Sequence, residues 1–173
     1  MLDNRLVSVA EHKAHAPTRV CCFVVTISDT RTLDTETSGR AIADLLAEHG
    51  HAVAGRTILR DEPTEVTRLV REQAARPEVE AIITTGGTGL SRRDATYEAL
   101  VALFDKRLDG FGELFRALSF EVIGPPAMLS RACAGVVNGR IVFALPGSEH
   151  AVRLAMTRLI LPELGHIRRE LTK

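Results

Sequence analysis

The chain has 173 residues, 45% of them apolar and 25% charged, the balance of one ordinary globular domain that folds without metal or disulfide staples. Its 22 Lys and Arg balance its 22 Asp and Glu, which argues against a general binder of nucleic acid or of anionic membranes and makes any anion site a local one. The three cysteines show neither a disulfide framework nor zinc spacing, and no apolar stretch is long enough to cross a bilayer, so the cytoplasm is the expected setting.

Residues 1–18, with His12, His15 and Pro17, read as a flexible polar arm before a single domain at 19–173. From Val20 the run VCCFVVT is of strand length and apolar on both faces, with Cys21 and Cys22 as small hydrophobes. After a polar loop at 28–37, Ala41, Ile42, Leu45 and Leu46 recur at helical spacing, Asp34 or Thr35 stands where a cap is expected, and Gly50 marks the stop. A second strand is predicted over Ala52–Leu59, weakened at Gly55, then a helix opened by Pro63 and ended before Pro77. A third strand, Ala81–Thr85, runs directly into GGTG and a helix carrying Ala99, Leu100, Leu103 and Phe104.

Strand, loop and helix thus alternate three times, which implies an open parallel sheet with functional loops gathered at the carboxyl ends of its strands. The second half departs from this pattern. A helix over 111–120 is broken by Pro125 and Pro126, and Asn138-Gly139 reads as a two-residue hairpin turn between 129–137 and 141–145. A last helix holds Leu154, Arg158 and Leu161, with a kink or restart at Pro162. The expected fold is a three-layer α/β/α sandwich whose mostly parallel sheet ends in an antiparallel hairpin at one edge.

The most informative stretch is Thr84 to Ala99, TTGGTGLSRRDATYEA. Adjacent glycines after a buried strand let the backbone turn sharply and aim N–H groups at a phosphate, although the same glycines also make a plain strand-to-helix turn. The loop lacks GK[ST], and SDTRTLD stands after the first strand in place of GxGxxG, so neither a P-loop nor a dinucleotide fold is indicated. Asp61 and Asp94 each follow a strand, and read either as helix caps or as a pair holding hydrated Mg²⁺ against substrate phosphates. Ser28 and Asp29 end the first strand, while Pro146, Gly147 and Ser148 end the last, where Ser148 also suits a cap. Arg31, Arg92, Arg93 and Arg131 are candidate positive charges. No Ser-His-Asp or Cys-His spacing supplies an activated nucleophile, which suits direct phosphoryl chemistry governed by positioning and charge neutralisation.

At these residues the chain resembles the molybdopterin-binding family of molybdenum cofactor biosynthesis, from about Arg19 onward. The resemblance is carried by TISD, DTETSG, RDE, TTGGTG with Arg93-Asp94, MLSRA and LPGS, in that order along the chain. It implies an α/β/α sandwich and, in active members, Mg²⁺-dependent adenylylation of molybdopterin by ATP with release of pyrophosphate; the alternative is a catalytically silent molybdopterin carrier. It further implies that Asp61 and Asp94 act as the catalytic and metal-holding carboxylates. Gly86, Gly87, Thr88 and Gly89 become the phosphate cradle, and Ser28, Asp29, Ser38, Arg93, Pro146, Gly147 and Ser148 substrate contacts. Relatives assemble as trimers or dimers of trimers, so self-association is expected. Family members often carry Pro where this chain has Tyr97.

Overall fold

The computed structural model describes residues 16–91 and 94–173; residues 1–15, most of the expected arm, and 92–93 lie outside the described residues. Six strands form one sheet: β1 (Cys21–Ile27), β2 (Ala52–Leu59), β3 (Ala81–Thr85), β4 (Lys106–Arg107), β5 (Cys133–Val137) and β6 (Arg140–Leu145), in the spatial order β2-β1-β3-β6-β5-β4. The helices are α1 (Ser38–Glu48), α2 (Pro63–Ala74), α3 (Thr96–Leu103), α4 (Asp109–Ile123), α5 (Glu149–Ala155) and α6 (Leu161–Glu170), with a 3₁₀ turn at Pro125–Leu129. β2, β1, β3 and β6 run parallel, whereas β5 and β4 run antiparallel to their neighbours. The sandwich and its antiparallel edge are as expected, and one short strand extends that edge. The hairpin does not end the sheet, because the free edge of β5 recruits the two exposed residues of β4, too short a segment to show any pattern in sequence.

Alternation along each strand sends side chains to two cores, one on each face of the sheet. On one face Val24, Ile83 and Phe143 pack with Ile42 and Leu46 of α1, Phe115 of α4, Met156 and Leu164. On the other, Val25, Ile82 and Val142 pack with Val66 and Val70 of α2 and Leu100 of α3. Gly55 marks a bulge: Cys22 pairs with Val53 but Phe23 with Gly55, and a Cβ on Gly55 would fall 2.7 Å from the Phe23 ring. The last helical region contains a π turn over Met156–Ile160, after which α6 begins with Pro162 in its first turn, so the chain restarts there. Residues 16–18 lie against α6, where the Pro17 carbonyl occupies the space a side chain at Gly165 would need.

Cys22 and Cys133 are buried, and burial pushes both thiols up, that of Cys133 to about 11, in keeping with inert packing residues. Among the described residues no helix is long and apolar enough to cross a membrane.

Candidate active site

β1 lies between β2 and β3, so the connection after β1 leads to one side of it and the later chain returns on the other. Loops that diverge in this way open a crevice at the carboxyl edge of the sheet. The ends of β1, β3 and β6 are stitched together there by the first glycine of the loop. Gly86 has φ +98°, its N–H donates to the Leu145 carbonyl at 3.0 Å, and an added Cβ would fall 2.1 Å from the Ile27 carbonyl oxygen. The Thr85 hydroxyl donates to the Pro146 carbonyl at 2.9 Å. Gly87 also has positive φ, +67°. Among the described residues, no protein acceptor takes the N–H groups of Gly87, Thr88 or Gly89, which leaves them as donors for an anion.

Both predicted carboxylates close on this loop. A Cβ on Gly87 would lie 3.0 Å from Asp61 Oδ1, and one on Gly89 would lie 2.3 Å from Asp94 Oδ2. Asp61 Oδ1 accepts from the Thr96 hydroxyl at 2.6 Å, and the Asp61 N–H donates to Asp29 Oδ1 at 3.2 Å. Asp94 Oδ2 accepts from the Ser91 N–H at 2.9 Å. Neither aspartate caps a helix: α2 starts behind Glu62 and α3 behind Ala95, with no side-chain cap bond at either. Of the two readings each aspartate allowed, capping is therefore the one the structure removes.

The two carboxyl groups lie close enough on this loop for each to act on the other's ionisation. Burial pushes the Asp61 carboxyl above its usual range, opposed by the Thr96 hydroxyl and reinforced by the like charges of Asp94 and Asp29. Asp94 is held below its usual range, first by its bonds to Ser91. Among the described residues no three His, Cys, Asp or Glu side chains group as metal ligands. A close pair of hard oxygen donors in a crevice is of the kind that Mg²⁺ accepts while keeping waters, so Asp61 and Asp94 are the residues that could hold such a cation.

A cavity of about 160 Å³ adjoins the loop, lined by Thr26, Ser28, Arg31, Ser38, Thr85 and Gly147 among others. It thus gathers three of the predicted substrate residues, Ser28, Ser38 and Gly147. The Ser28 hydroxyl also holds the following turn, accepting from the N–H groups of Thr30 and Arg31. Ser148 is placed differently: its hydroxyl accepts from the Ala151 N–H as the cap of α5, and with Pro146 it borders a separate cavity beside Val122, Ile123 and Leu154. Arg93 lies outside the described residues.

Sequence reasoning did not single out Glu36, which is 1% exposed on the cavity wall. Its carboxylate accepts from the Thr26 hydroxyl at 3.1 Å and the Gly39 N–H at 2.7 Å, and pairs with Arg56. It thereby does for the start of α1 what Asp34 or Thr35 was expected to do; those two residues lie in the preceding turn, and the helix has no side-chain cap from Thr37. Two further cavities, of about 380 and 480 Å³, lie toward the β4 edge, beside Arg107 and Arg116 and beside Leu114 and Leu159 respectively.

A family profile described as a probable molybdopterin binding domain matches residues 23–166. The chain belongs to that family. The chain is 50% identical over 168 residues to molybdenum cofactor biosynthesis protein B of Halalkalibacterium halodurans, covering 96% of this chain and 99% of that one. It is 48% identical to the protein of the same name from Bacillus subtilis, with the same coverage. A crystal structure of a molybdenum cofactor biosynthesis protein B superposes with a TM-score of 0.88 at 49% identity, covering 91% of this chain and 99% of that one. The tungsten cofactor synthesizing protein MoaB of Pyrococcus furiosus superposes with a TM-score of 0.81 at 37% identity, covering 91% and 100%. The resemblance read from the motifs is thereby shown, and with it a place among molybdenum cofactor biosynthesis proteins.

Proposed function

We propose that this molybdopterin-binding protein is a Mg²⁺-dependent adenylyltransferase that joins the phosphate of molybdopterin to the adenylyl group of ATP. The observation that carries the reading is the convergence of Asp61 and Asp94 on one glycine loop with N–H donors to spare. In the reaction an oxygen of the molybdopterin phosphate forms a bond to the α-phosphorus of ATP. The bond from that phosphorus to the bridging oxygen breaks, and its electron pair leaves with pyrophosphate. Gly87, Thr88 and Gly89 offer N–H groups to phosphate oxygens, and Gly86 fixes the turn that aims them. Asp61 and Asp94 would hold Mg²⁺, which when bound offsets charge on the phosphates.

The 160 Å³ cavity is below the usual size for a whole drug-sized ligand, so it seats one part of a substrate on Ser28, Ser38 and Arg31 while the remainder lies along the loop. Arg93 and Asp29 complete the contacts in this reading, with Pro146 and Gly147 shaping the rim. Because Ser148 Oγ is engaged as a helix cap, its contribution is to hold that rim in place. No side chain needs to act as a nucleophile, since in-line transfer depends on orientation and charge neutralisation. The free thiols suit a cytoplasmic setting.

The test is incubation of the full chain with molybdopterin and MgATP, scoring adenylylated product and pyrophosphate. Asp61→Ala and Asp94→Ala are each expected to fold and to lose about 100-fold or more in turnover, the scale of removing a main electrostatic contribution. Full activity in both variants excludes the mechanism. Molybdopterin binding by the unaltered chain with no pyrophosphate under saturating MgATP identifies a carrier instead.

A further inference from the structure

Arg131 follows the 3₁₀ turn and precedes β5, more than 35 residues along the chain from the glycine loop, yet its guanidinium is committed to that loop. Nε–H donates to the Thr88 carbonyl at 3.0 Å, Nη2 donates to the Gly89 carbonyl and, at 3.4 Å, to the Asp94 carbonyl, and Nη1 pairs with Glu98. The plane of the group lies over the Tyr97 ring, 4.5 Å from its centroid. The residue that stands where family members often carry Pro therefore supplies a floor under the guanidinium, and α3 still starts at Thr96.

A trans peptide points its C=O and the following N–H in opposite directions. Drawing the carbonyls of Thr88 and Gly89 toward Arg131 turns the N–H groups of Gly89 and Leu90 away from it. Holding the Asp94 carbonyl in the same fork fixes the backbone from which the metal-side carboxylate projects. The Arg131 charge is thus spent on three carbonyls and Glu98, which leaves it badly placed to bind phosphate directly.

We propose that Arg131 is a positioning residue, a planar fork that sets the direction of the loop's N–H donors and keeps the Asp94 carboxylate beside Asp61. This rests on the adenylyltransferase reading for its catalytic consequence but not for its geometry. Lysine cannot reproduce it, because a single ammonium lacks the rigid fork that reaches several acceptors in one plane.

The experiment compares Arg131→Met and Arg131→Lys with the unaltered full chain by pyrophosphate release, by the Mg²⁺ concentration for half-maximal rate, and by amide hydrogen exchange without substrates. Arg131→Met is expected to lower kcat about 30-fold and raise the half-saturating Mg²⁺ about tenfold, with KM for molybdopterin within about twofold, because orientation rather than binding is lost. Exchange of the Ser91 N–H, which Asp94 Oδ2 holds, is expected to quicken about tenfold while β3 and β6 keep their protection. Arg131→Lys should recover only a small part of each change. Unchanged loop exchange and Mg²⁺ requirement in Arg131→Met overturn the proposal, as does a loss of protection spread evenly over β3 and β6. If the unaltered chain releases no pyrophosphate, the functional reading fails, and loop exchange alone decides: quickened in Arg131→Met it upholds the positioning role, unchanged it overturns it. Should Arg131→Met not fold, Glu98→Gln is measured in the same way, with quicker exchange confined to the Ser91 N–H as the supporting result and no change as the overturning one.

Discussion

The carboxyl of Asp61 is half-buried beside Thr96 and flanked by Asp94 and Asp29, and its folded pKa lies above the value it takes in the unfolded chain. Proton linkage gives this a sign. The group's contribution to stability is fully present below the unfolded pKa and is lost as pH rises through the raised folded pKa, because the native fold tolerates the ionised form less well. Asp94, with its folded pKa lowered by Ser91, contributes in the opposite sense, with stability lost as pH falls through its folded value. Asp61→Asn keeps an oxygen for the Thr96 hydroxyl while removing the charge. It is therefore expected to abolish the decline of ligand-free stability with rising pH that Asp61 causes, so that unfolding in denaturant at pH 7 is no easier than in the unaltered chain. A variant clearly less stable at pH 7 than at pH 4, by the same margin as the unaltered chain, would contradict this assignment. If Asp61 holds Mg²⁺ as proposed, binding of that cation should run the other way, weakening in the unaltered chain as acid protonates Asp61 at a pH above the ordinary aspartate range.

At the next scale, the β5–β6 hairpin shows how far local chemistry dictates an element. Asn138 and Gly139 have φ of 49° and 71°, the two positive values that a two-residue turn matched to strand twist requires. Asn138 Nδ2 also donates to the Ala74 carbonyl at 3.2 Å, tying the turn to the end of α2. Asn138→Ala gives up both the side-chain bond and a residue tolerant of positive φ, an expected loss of about 2 kcal/mol measurable by chemical denaturation. This turn was legible in sequence, as were β2 and β3 to the residue, because buried strands leave apolar runs and their ends carry Gly and Pro. β4 was not, since Lys106 and Arg107 are exposed and are recruited only by the free edge of β5. The site divides along the same line. The glycine loop, Asp61 and Asp94 stand beside strand ends and announce themselves. Glu36 does not, because a glutamate reads as buried only once Thr26 and Arg56 surround it, and Arg131 is legible only as a candidate charge, since an arginine reads as a clamp only once the loop it grips is folded against it.

Across the whole molecule, apolar side chains remain uncovered along the end of α4 and the 3₁₀ turn: Phe120 at 58%, Met128 at 77% and Leu129 at 58% exposed. Exposed apolar side chains of this size on a chain of zero net charge suit a second copy of itself. In sedimentation the unaltered chain is accordingly expected to run as a trimer or hexamer, and the double variant Phe120→Glu, Leu129→Glu as a monomer with unchanged secondary structure. A monomeric unaltered chain would remove this assembly.

Placing β6 directly against β3 has a consequence for synthesis. The strand that completes the parallel half of the sheet leaves the ribosome after the other five described strands, and the bond from Gly86 to Leu145 that shapes the glycine loop waits for it. A nascent chain stopped before residue 140 therefore displays β3 with a bare edge, an invitation to pair with the wrong neighbour, and carries both aspartates without the floor on which they meet.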